Sequence, residues 1–415
     1  MRICLFEDRR AADLAPLTLT RPASDLLCGQ SSLGDKQARH FAAHVVGYLV
    51  RPLLADVVHA RDPLKPVNHP VWLRAAPTVL VNGRWLPPDQ PTELVGESFI
   101  GLCDGEVAFA ALDPRRLSAI SPTTIDDCLG DWAQSLPTRE VGGRMIRRPW
   151  DLTELNAEQI TRDFASHRPE TWTTNRIALV GPAERLSIDP SAKIDPMVVA
   201  DTTNGPVVIG AGAVVTAFTR LEGPCVVGAG THLIRANVRG GTTLGPQCRI
   251  GGEVECSIVQ GFSNKAHDGF LGHSYLGEWV NLAAGTTTSD LRNDYAEISV
   301  PVNGEEVPTG RIKVGSFVGD HTKTGLSVLL NCGTSLGAFA CVLPTGQYAP
   351  RDVPSFSRVG PSGVKPNTTP EKLFATADTV MRRRGRELTP ALEGLYRSLA
   401  GLETPADIGA VRRAA

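Results

Sequence analysis

Residues 207–234 read VVIGAGAVVTAFTRLEGPCVVGAGTHLI, and this stretch decides the fold. Aliphatic side chains recur in it at every sixth position: Ile209, Val215, Leu221, Val227 and Leu233. A fixed period of six residues is too short for a helix pair or a propeller blade, and it fits one short strand followed by a turn. Glycine suits such turns because it adopts backbone conformations that other residues avoid. The stretch therefore predicts a β-solenoid.

The same period continues on the C-terminal side, with one-residue slips and with Thr324 at one step. The further aliphatic positions are Val238, Leu244, Ile250, Leu276, Leu282, Val318, Leu330, Leu336 and Val342. The regularity is lost over residues 256–271 and again over residues 290–313. Insertions into a solenoid become loops on one face, often the binding face, so we expect the chemistry at these two places.

The flanking regions differ from the repeat. Before it, strand-like segments at residues 3–6, 45–50, 78–81 and 107–111 and a helical segment at 150–166 predict an α/β domain. After it, two helices are expected, with Pro370 and Pro390 in their first turns. The basic run RRRGR at residues 382–386 is more often a solvated face than an anion site. The predicted domains are residues 1–175, 176–365 and 366–415.

Composition narrows the functional class. A chain of 415 residues with net charge −2 predicts two or three domains and neither a nucleic-acid nor a membrane partner. The nine cysteines form no CxxC pair, which favours free thiols in a reducing compartment. The first residues, MRICLFEDRR, lack the apolar run of a signal peptide. We therefore expect a cytoplasmic protein.

Three motifs carry a family resemblance. NKAHDGFLGHSYLGEWVNLAAGTTTSDLRNDY at residues 264–295, VGDHTKTGLSVLLNCGTSLGAF at 318–339 and PLTLTRPASDLLCG at 16–29 resemble the bifunctional N-acetylglucosamine-1-phosphate uridyltransferase/glucosamine-1-phosphate N-acetyltransferase family. They are closer still to a bacterial variant described as a sugar nucleotidyltransferase. The resemblance implies a nucleotidyltransferase-like α/β N-terminal domain, a left-handed parallel β-helix of the hexapeptide acyltransferase type and a homotrimer.

The resemblance also implies an activity. The β-helix would transfer an acetyl group from acetyl-CoA to the amine of an amino-sugar 1-phosphate such as glucosamine-1-phosphate. The N-terminal domain would couple the product to a nucleoside triphosphate, with Mg²⁺, giving UDP-N-acetylglucosamine or a related sugar nucleotide. The sequence leaves two alternatives open: that one half alone is active, and that the β-helix is a trimeric scaffold without transfer chemistry.

His267 is the predicted general base, because it matches the position that the family uses for that role. Histidine suits the task because its pKa lies near neutral pH. Glu253 matches the carboxylate that orients the ring in the family. The alternative for His267 is an ordinary loop histidine bonded to the backbone.

Further site residues follow from the same match. Arg239, Lys265, Phe270 and Asn281 are expected at the sugar phosphate, and Ala284 is expected beside acetyl-CoA. Phe270 stands where the family has tyrosine and so lacks a hydroxyl. The other candidates have plainer readings, as solvent-exposed cations for Arg239 and Lys265 and as a turn cap for Asn281.

Other positions depart from the family pattern at the same pocket. Glu255 and Cys256 replace paired lysines, and Asp290 and Leu291 replace an Asn-Tyr pair. These departures imply a changed acceptor or a weakened acetyl transfer.

The N-terminal half lacks the glycine-rich phosphate loop of a typical nucleotidyltransferase. The variant family shares that feature, so Arg21, Asp25, Gly29 and Lys36 are the candidate nucleotide residues. The competing interpretation is that TRPASD simply starts a helix with proline and capping side chains.

A zinc site is the remaining possibility. His267, His273 and His321 make a carbonic anhydrase-like metal centre thinkable. The spacing of the carboxylates and histidines does not support it, and the identity of any metal stays open.

Overall fold

The computed structural model describes residues 1–94, 98–166 and 177–401. Its N-terminal part is built on a six-stranded mixed sheet of order β2-β1-β3-β5-β4-β6. The strands are β1 (Arg2–Phe6), β2 (Val45–Leu49), β3 (Thr78–Asn82), β4 (Phe99–Cys103), β5 (Glu106–Leu112) and β6 (Thr138–Glu140). The four strands expected from the sequence are all among them. β1 pairs in parallel with both β2 and β3, so the chain changes direction across the sheet at β1.

Five helices accompany this sheet: α1 (Leu33–His40), α2 (Pro52–Arg61), α3 (Pro70–Ala75), α4 (Ile125–Ser135) and α5 (Pro149–Ser166). Short 3₁₀ helices span Arg9–Leu14, Ala23–Asp25 and Pro114–Ala119. A small hairpin pairs Leu27–Cys28 with Ser31–Ser32, and a separate antiparallel pair joins Trp85–Leu86 to Arg144–Met145. α1 begins in a capping box in which Ser32 and Asp35 bond each other's backbone N–H groups, which satisfies donors that the first helical turn leaves free.

The C-terminal part is a parallel β-helix, as the repeat predicts. One face is a nine-stranded sheet made of Leu186–Ile188, Val207–Ile209, Cys225–Val227, Thr242–Leu244, Ile258–Gly261, Tyr275–Glu278, Phe317–Val318, Ser335–Leu336 and Asp352–Val353. Each strand comes from the next coil along the chain. The six-residue anchors, from Ile209 to Val342, are all buried, and the aliphatic ones form one continuous core.

The other faces carry the remaining pairings. Their strands are Ile177–Val180, Lys193–Ile194, Val198–Asp201, Val214–Val215, Arg220–Glu222, His232–Val238, Arg249–Glu255, Asn264–Lys265, Phe270–Gly272, Thr287–Thr288, Lys323–Thr324, Leu329–Leu330, Cys341–Val342, Ser357–Gly360 and Gly363–Pro366. A further 3₁₀ turn spans Ala183–Arg185. The pairing is parallel except for the last hairpin, Ser357–Gly360 with Gly363–Pro366.

The first predicted interruption, at residues 256–271, does not break the coil. Val259, Lys265 and Leu271 are six apart, and Lys265 stands opposite the core residue Ile250. Lys265 thus occupies an inward position, which hid the period from a search for aliphatic residues. The expectation of a lost repeat was wrong here because a buried ammonium replaces the aliphatic anchor.

The second interruption is a true insertion. It forms an antiparallel hairpin of Ile298–Val302 and Glu305–Arg311. The hairpin reaches the N-terminal part, where Arg311 Nη2 lies 2.6 Å from Glu154 Oε2 on α5. The insertion therefore contacts the α/β domain instead of projecting freely.

Residues 16–29 join the two halves. Leu17 and Leu26 share a buried cluster with Tyr275 and Phe317 of the β-helix. The backbone N–H of Leu27 donates to Gln260 Oε1 at 3.2 Å, and Gln260 Nε2 donates to the carbonyl of Asp25 at 2.9 Å. The segment that resembles a family motif is thus the connection between domain and β-helix.

The C-terminal helices α6 (Pro370–Arg382) and α7 (Pro390–Ala400) begin with proline in the first turn, as predicted. They cover a column of stacked rings on the β-helix made of Phe262, Trp279, His321, Phe339 and Phe356. Phe374 and Tyr396 pack edge-on against Phe339. The two helices are therefore docked and do not form a free tail.

Two predicted boundaries lie outside the described residues, namely the junction at residues 175–176 and the end of the last segment, residues 402–415. The division into three domains stays a prediction. No helix in the described ranges is long and apolar enough to cross a membrane. All nine cysteines fall within those ranges and are free thiols.

Candidate functional site

His267 lies at the rim of a cavity of about 440 Å³ on the β-helix. Asn281 and Ala284 line the same cavity, together with Asn264. Asn264 and Asn281 lie side by side because they occupy equivalent positions on successive coils. Three of the predicted acetyltransferase residues, the base, the sugar contact and the neighbour of acetyl-CoA, are thus brought together.

Basic groups surround this cavity. Arg249 comes from the β-helix, and Arg383 and Arg384 come from the end of α6. Burial lowers the pKa of Arg384, and its neighbour Arg383 lowers it further; burial and Arg384 do the same to Arg249. The Nε of Arg384 is buried and has no hydrogen-bond partner within the described chain, whereas its Nη2 donates to Asn264 Oδ1 at 2.8 Å. The rim therefore carries positive charge that nearby carboxylates do not balance.

Lys265 supports the His267 loop from inside the coil. Its Nζ donates to the carbonyl oxygens of Gly251 at 2.7 Å and of His267 at 2.9 Å. The side chain is 2% exposed, and burial lowers the pKa of Lys265 to about 8, against the opposing effect of Asp268 and Glu253. A direct contact with substrate phosphate is not available to it in this position, so the expected role of Lys265 changes from ligand to support.

Glu253 and Arg239 are turned toward each other. Arg239 Nη1 lies 3.4 Å from Glu253 Oε1 and 3.0 Å from Glu255 Oε2, and its Nε is 3.9 Å from Glu222 Oε2. Neither residue lines the His267 cavity. Within the described single chain, the His267 ring has no hydrogen-bond partner, so the orienting contact from Glu253 is absent. Phe270 pairs opposite Glu253, on the same face and away from the cavity.

The four candidate nucleotide residues do not share a cleft. Arg21 is 2% exposed and bonds Asp320 of the β-helix, and Lys36 Nζ lies 2.5 Å from Asp163 Oδ1 on α5. Asp25 pairs with Arg61. Gly29 has φ +79°, and a Cβ there would lie 2.5 Å from Asp163 Oδ2. All four make contacts within the chain, and their assignment to a nucleotide site stays a prediction.

A different cavity opens at the carboxyl edge of the N-terminal sheet. It measures about 660 Å³ and lies between the turn after β1, the β4–β5 turn, α5 and the Ile298–Arg311 hairpin. Its cationic lining is Arg10, Arg144, Arg147, Arg148 and Arg311, and its carboxylates are Asp13, Asp104, Asp151 and Glu154. Ligands of open α/β sheets bind at this edge, beside the point where the chain reverses direction across the sheet.

Comparison with known proteins bears directly on this half of the chain. Residues 3–170 match a family described as "Sugar nucleotidyl transferase". The match covers the N-terminal part of the chain, which is therefore similar to that family. Most residues of the arginine-lined cavity lie within this matched part.

Relatives of the chain include proteins described as bifunctional. A "Bifunctional sugar-1-phosphate nucleotidylyltransferase/acetyltransferase" of Sulfurisphaera tokodaii is 38% identical over 114 residues, 27% of this chain and 28% of that protein. A "Bifunctional protein GlmU" of Methanococcus aeolicus is 31% identical over 25% of each chain. Another, from Synechococcus elongatus, is 31% identical over 29% of this chain and 23% of the relative. The matches thus span about a quarter of these relatives' length.

Sequence reasoning missed the arginine-lined cavity of the nucleotidyltransferase-type domain. One usable signal was Arg10, four residues after the end of the buried strand β1, where the carboxyl edge of a parallel sheet is reached. The pair Arg147 and Arg148 just before α5 was a second signal. Arg311 could not have been assigned to this cavity from the sequence, because it lies about 300 residues after Arg10 along the chain.

The arginine-lined cavity offers few side chains that could bind a metal ion. No three His, Cys, Asp or Glu side chains in the described ranges are grouped to hold a metal ion. Mg²⁺ often binds through one or two carboxylates and the phosphates of its substrate, and the candidates at the cavity wall are Asp104 and Asp13, of which Asp13 lies 3.4 Å from Arg148 Nη1. The three histidines of the zinc alternative are separate: His267 is exposed, His273 pairs with Asp290 and His321 is buried in the ring column.

Proposed function

We propose that the His267 cavity transfers an acetyl group from acetyl-CoA to the amine of an amino-sugar 1-phosphate, with glucosamine-1-phosphate as the expected acceptor. The observation that carries this proposal is the convergence of His267, Asn281 and Ala284 on one cavity. His267 takes a proton as the amine attacks the thioester carbonyl, and coenzyme A leaves as its thiol. The Lys265 ammonium, bound to the His267 carbonyl, holds the loop in place.

The positive rim supports an anionic donor. Arg249, Arg383 and Arg384 surround the cavity, and coenzyme A carries several phosphate groups that such a rim attracts. A buried guanidinium edge without a partner, the Nε of Arg384, gains most from a phosphate oxygen, because an unpaired buried donor is costly.

The N-terminal domain supplies the second half of the function. We propose that the arginine-lined cavity binds a nucleoside triphosphate, whose α-phosphorus is attacked by the phosphate of the N-acetylated sugar with loss of pyrophosphate. Arg10, Arg147 and Arg148 line this cavity and would neutralise the phosphates. In the chain alone, Glu106 pairs with Arg10 and Arg147, and Asp13 pairs with Arg148. Mg²⁺ held at Asp13 or Asp104 would supply further charge neutralisation. The product would be UDP-N-acetylglucosamine or a related sugar nucleotide, made by a homotrimer in the cytoplasm.

Two substitutions test the acetyl half. With acetyl-CoA and glucosamine-1-phosphate, His267→Gln should lower release of free coenzyme A by about 10²- to 10⁴-fold, because a general base contributes that much. Release of pyrophosphate from UTP and N-acetylglucosamine-1-phosphate should not change. His59→Gln, on the exposed face of α2, is the matched control. Normal coenzyme A release by His267→Gln would overturn the assignment of His267 as the base, and no release by the wild type would favour the scaffold.

The nucleotidyl half needs its own variant. Arg10→Gln combined with Arg147→Gln should raise KM for the nucleotide about tenfold or more, since each charge-assisted bond contributes about 1.5–3 kcal/mol. Arg115→Gln, an exposed arginine of the same domain, should leave pyrophosphate release unchanged. An unchanged KM in the double variant, together with normal pyrophosphate release, would place the nucleotide elsewhere.

A further inference from the structure

The second strand of the Ile298–Arg311 hairpin forms one wall of the arginine-lined cavity. Val307, Pro308 and Arg311 line the cavity, although all three belong to the β-helix half. The other lining residues, including Glu154 on α5, come from the N-terminal part. The cavity is therefore shared between the two halves of the chain.

The hairpin is packed firmly in place. Val300 and Val302 are buried in one cluster with Trp150 of α5. On the β-helix side, Arg351 precedes the last strand of the nine-stranded face and donates to the carbonyl of Ser299. The strand that lines the cavity is thus held from both halves, and its side chains have defined positions.

A β-bulge directly precedes Arg311. The two strands shift register there, so that Thr309 and Gly310 have no partner on the opposite strand. Gly310 has φ +69°, a left-handed conformation that favours glycine, and its N–H donates to Glu297 Oε1 at 2.6 Å. The N–H of Arg311 donates to Thr309 Oγ1 at 3.1 Å. Bulges re-aim the side chains beside them, and here the side chain is that of Arg311 at the cavity wall.

Arg311 keeps hydrogen-bond donors for a ligand. Its Nε and Nη2 bond the same oxygen of Glu154, Oε2, at 2.9 Å and 2.6 Å. Its Nη1 has no hydrogen-bond partner among residues 1–94, 98–166 and 177–401. A guanidinium carries five N–H donors in a planar fork that matches two phosphate oxygens. The edge formed by Nη1 and Nη2 can therefore bind an oxyanion in the cavity.

The cationic groups of the cavity fall into sets with separate partners. Arg10 Nη1 and Arg147 Nε both lie against Glu106 Oε1, at 2.9 Å and 2.5 Å. Arg311 pairs with Glu154 instead and shares its strand with the apolar Val307. Nucleotidyl transfer brings together two substrates that each carry phosphate. Two sets of arginines, one of them beside an apolar wall, suit such a pair of substrates.

We propose that Arg311 binds the phosphate of a sugar 1-phosphate, while Arg10 and Arg147 hold the nucleoside triphosphate. The choice of substrate rests on the proposed function of this cavity. Val307 and Pro308 then lie against the sugar ring. An oxygen of the bound sugar phosphate attacks the α-phosphorus, the bond from that phosphorus to the bridging oxygen breaks, and pyrophosphate leaves with the electron pair. The β-helix half thus contributes a binding residue to the reaction of the N-terminal half.

Pyrophosphate release from UTP and N-acetylglucosamine-1-phosphate tests this assignment. Arg311→Gln should raise KM for the sugar phosphate about tenfold or more and leave KM for UTP unchanged, because one charge-assisted bond is lost. Arg292→Gln is the matched control: this arginine of the same insertion is also 49% exposed and pairs with Asp294, but it does not line the cavity. An unchanged KM for the sugar phosphate in Arg311→Gln, or a raised KM for UTP alone, would overturn the proposal.

Glu154→Gln separates ligand binding from a purely structural role of Arg311. If Arg311 only fastened the hairpin to α5, loss of either partner would act in the same direction. For a binding residue the two directions are opposite, because Glu154 competes with the phosphate for the guanidinium. Glu154→Gln should therefore lower KM for the sugar phosphate about twofold or more, as expected for release of an exposed pair. A raised KM in both variants would show that Arg311 is structural.

Direct binding keeps this outcome separate from that of the proposed function. Calorimetric titration of the full chain with N-acetylglucosamine-1-phosphate, in the presence of a non-hydrolysable UTP analogue, should give a Kd about tenfold higher for Arg311→Gln than for the wild type. Absent pyrophosphate release by the wild type would refute the proposed function, whereas this difference in Kd would still support the site at Arg311. No binding by the wild type, or equal binding by both proteins, would overturn the site.

Discussion

Buried titratable side chains fix the local structure at both ends of the His267 coil. Lys265 holds one end through two carbonyl oxygens, and the pair of His273 with Asp290 holds the other. Each of these side chains places a polar group inside the structure. Its hydrogen bonds must be formed within the chain, because a buried unpaired donor is costly. The loop that carries His267 is therefore set by electrostatics as much as by packing.

The His273–Asp290 pair gives stability a definite pH dependence. The pKa of His273 rises from 6.5 to about 9 on folding, which corresponds to about 3 kcal/mol. The folded state binds the extra proton, so this stability is fully present below pH 6.5 and is lost as the pH rises through 9. Asp290 accounts for part of this shift, so urea unfolding of wild type and Asp290→Asn should differ by less than this amount at pH 6 and converge near pH 10. A difference that does not change with pH would contradict the assigned ion pair.

At the scale of elements, the end of α6 brings its arginines to the His267 cavity. The helix is anchored by Phe374, whose ring packs against Phe339 of the β-helix and Tyr396 of α7, and Met381 is buried as well. Arg382 turns away and lies 2.7 Å from Asp378 Oδ2 on the same helix, whereas Arg384 reaches Asn264. Within this run, Arg382 therefore forms an ion pair at the surface, whereas Arg384 contacts the cavity. The sequence of the run alone does not distinguish the two roles.

Substitution of these arginines tests their division of roles. Arg384→Gln should raise KM for acetyl-CoA about tenfold, since loss of one charge-assisted bond to phosphate removes about 1.5 kcal/mol or more, and kcat should change little. Arg382→Gln on the same turn is the matched control and should leave both constants unchanged. Steady-state release of coenzyme A measures both, and equal effects of the two variants would exclude a specific role for Arg384.

At the scale of the whole molecule, an ion pair is buried between the two halves. Arg21 bonds Asp320, and its Nη1 lies 3.3 Å from Glu278 Oε1. Thr20 Oγ1 donates to the same Asp320 oxygen at 2.7 Å. Burial alone would lower the pKa of Arg21, but these carboxylates raise it above its ordinary value. The contact ties the turn after the first 3₁₀ helix to the β-helix.

Removal of one partner of this ion pair should destabilise the contact between the two halves. Arg21→Met should lower the free energy of unfolding by about 3–5 kcal/mol, because it leaves a buried carboxylate uncompensated. Arg220→Met, from an exposed ion pair on the β-helix, should cost about 1 kcal/mol or less. Denaturation followed by tryptophan fluorescence checks both. If Arg21→Met is no more destabilising than Arg220→Met, the interface does not depend on this pair.

The sequence alone predicts the structural features that are periodic or local along the chain. The six-residue anchors give the β-helix, and Pro370 and Pro390 give the starts of the last helices. The Lys265 anchor was hidden because its polar type masks an inward position. The contacts of residues 16–29 with Gln260 and Asp320 could not be predicted, because these partners are distant in sequence. The cavities join groups such as Arg249 with Arg384, whose approach depends on the complete fold.

The proposed acetyl transfer depends above all on the binding of the acyl donor in the cavity at His267. The most direct measurement is an experimental structure of the full chain with coenzyme A. We predict the thiol end beside His267 and Ala284, and the phosphates against Arg249 and Arg384. Coenzyme A bound away from this cavity, or no binding at millimolar concentration, would contradict the account.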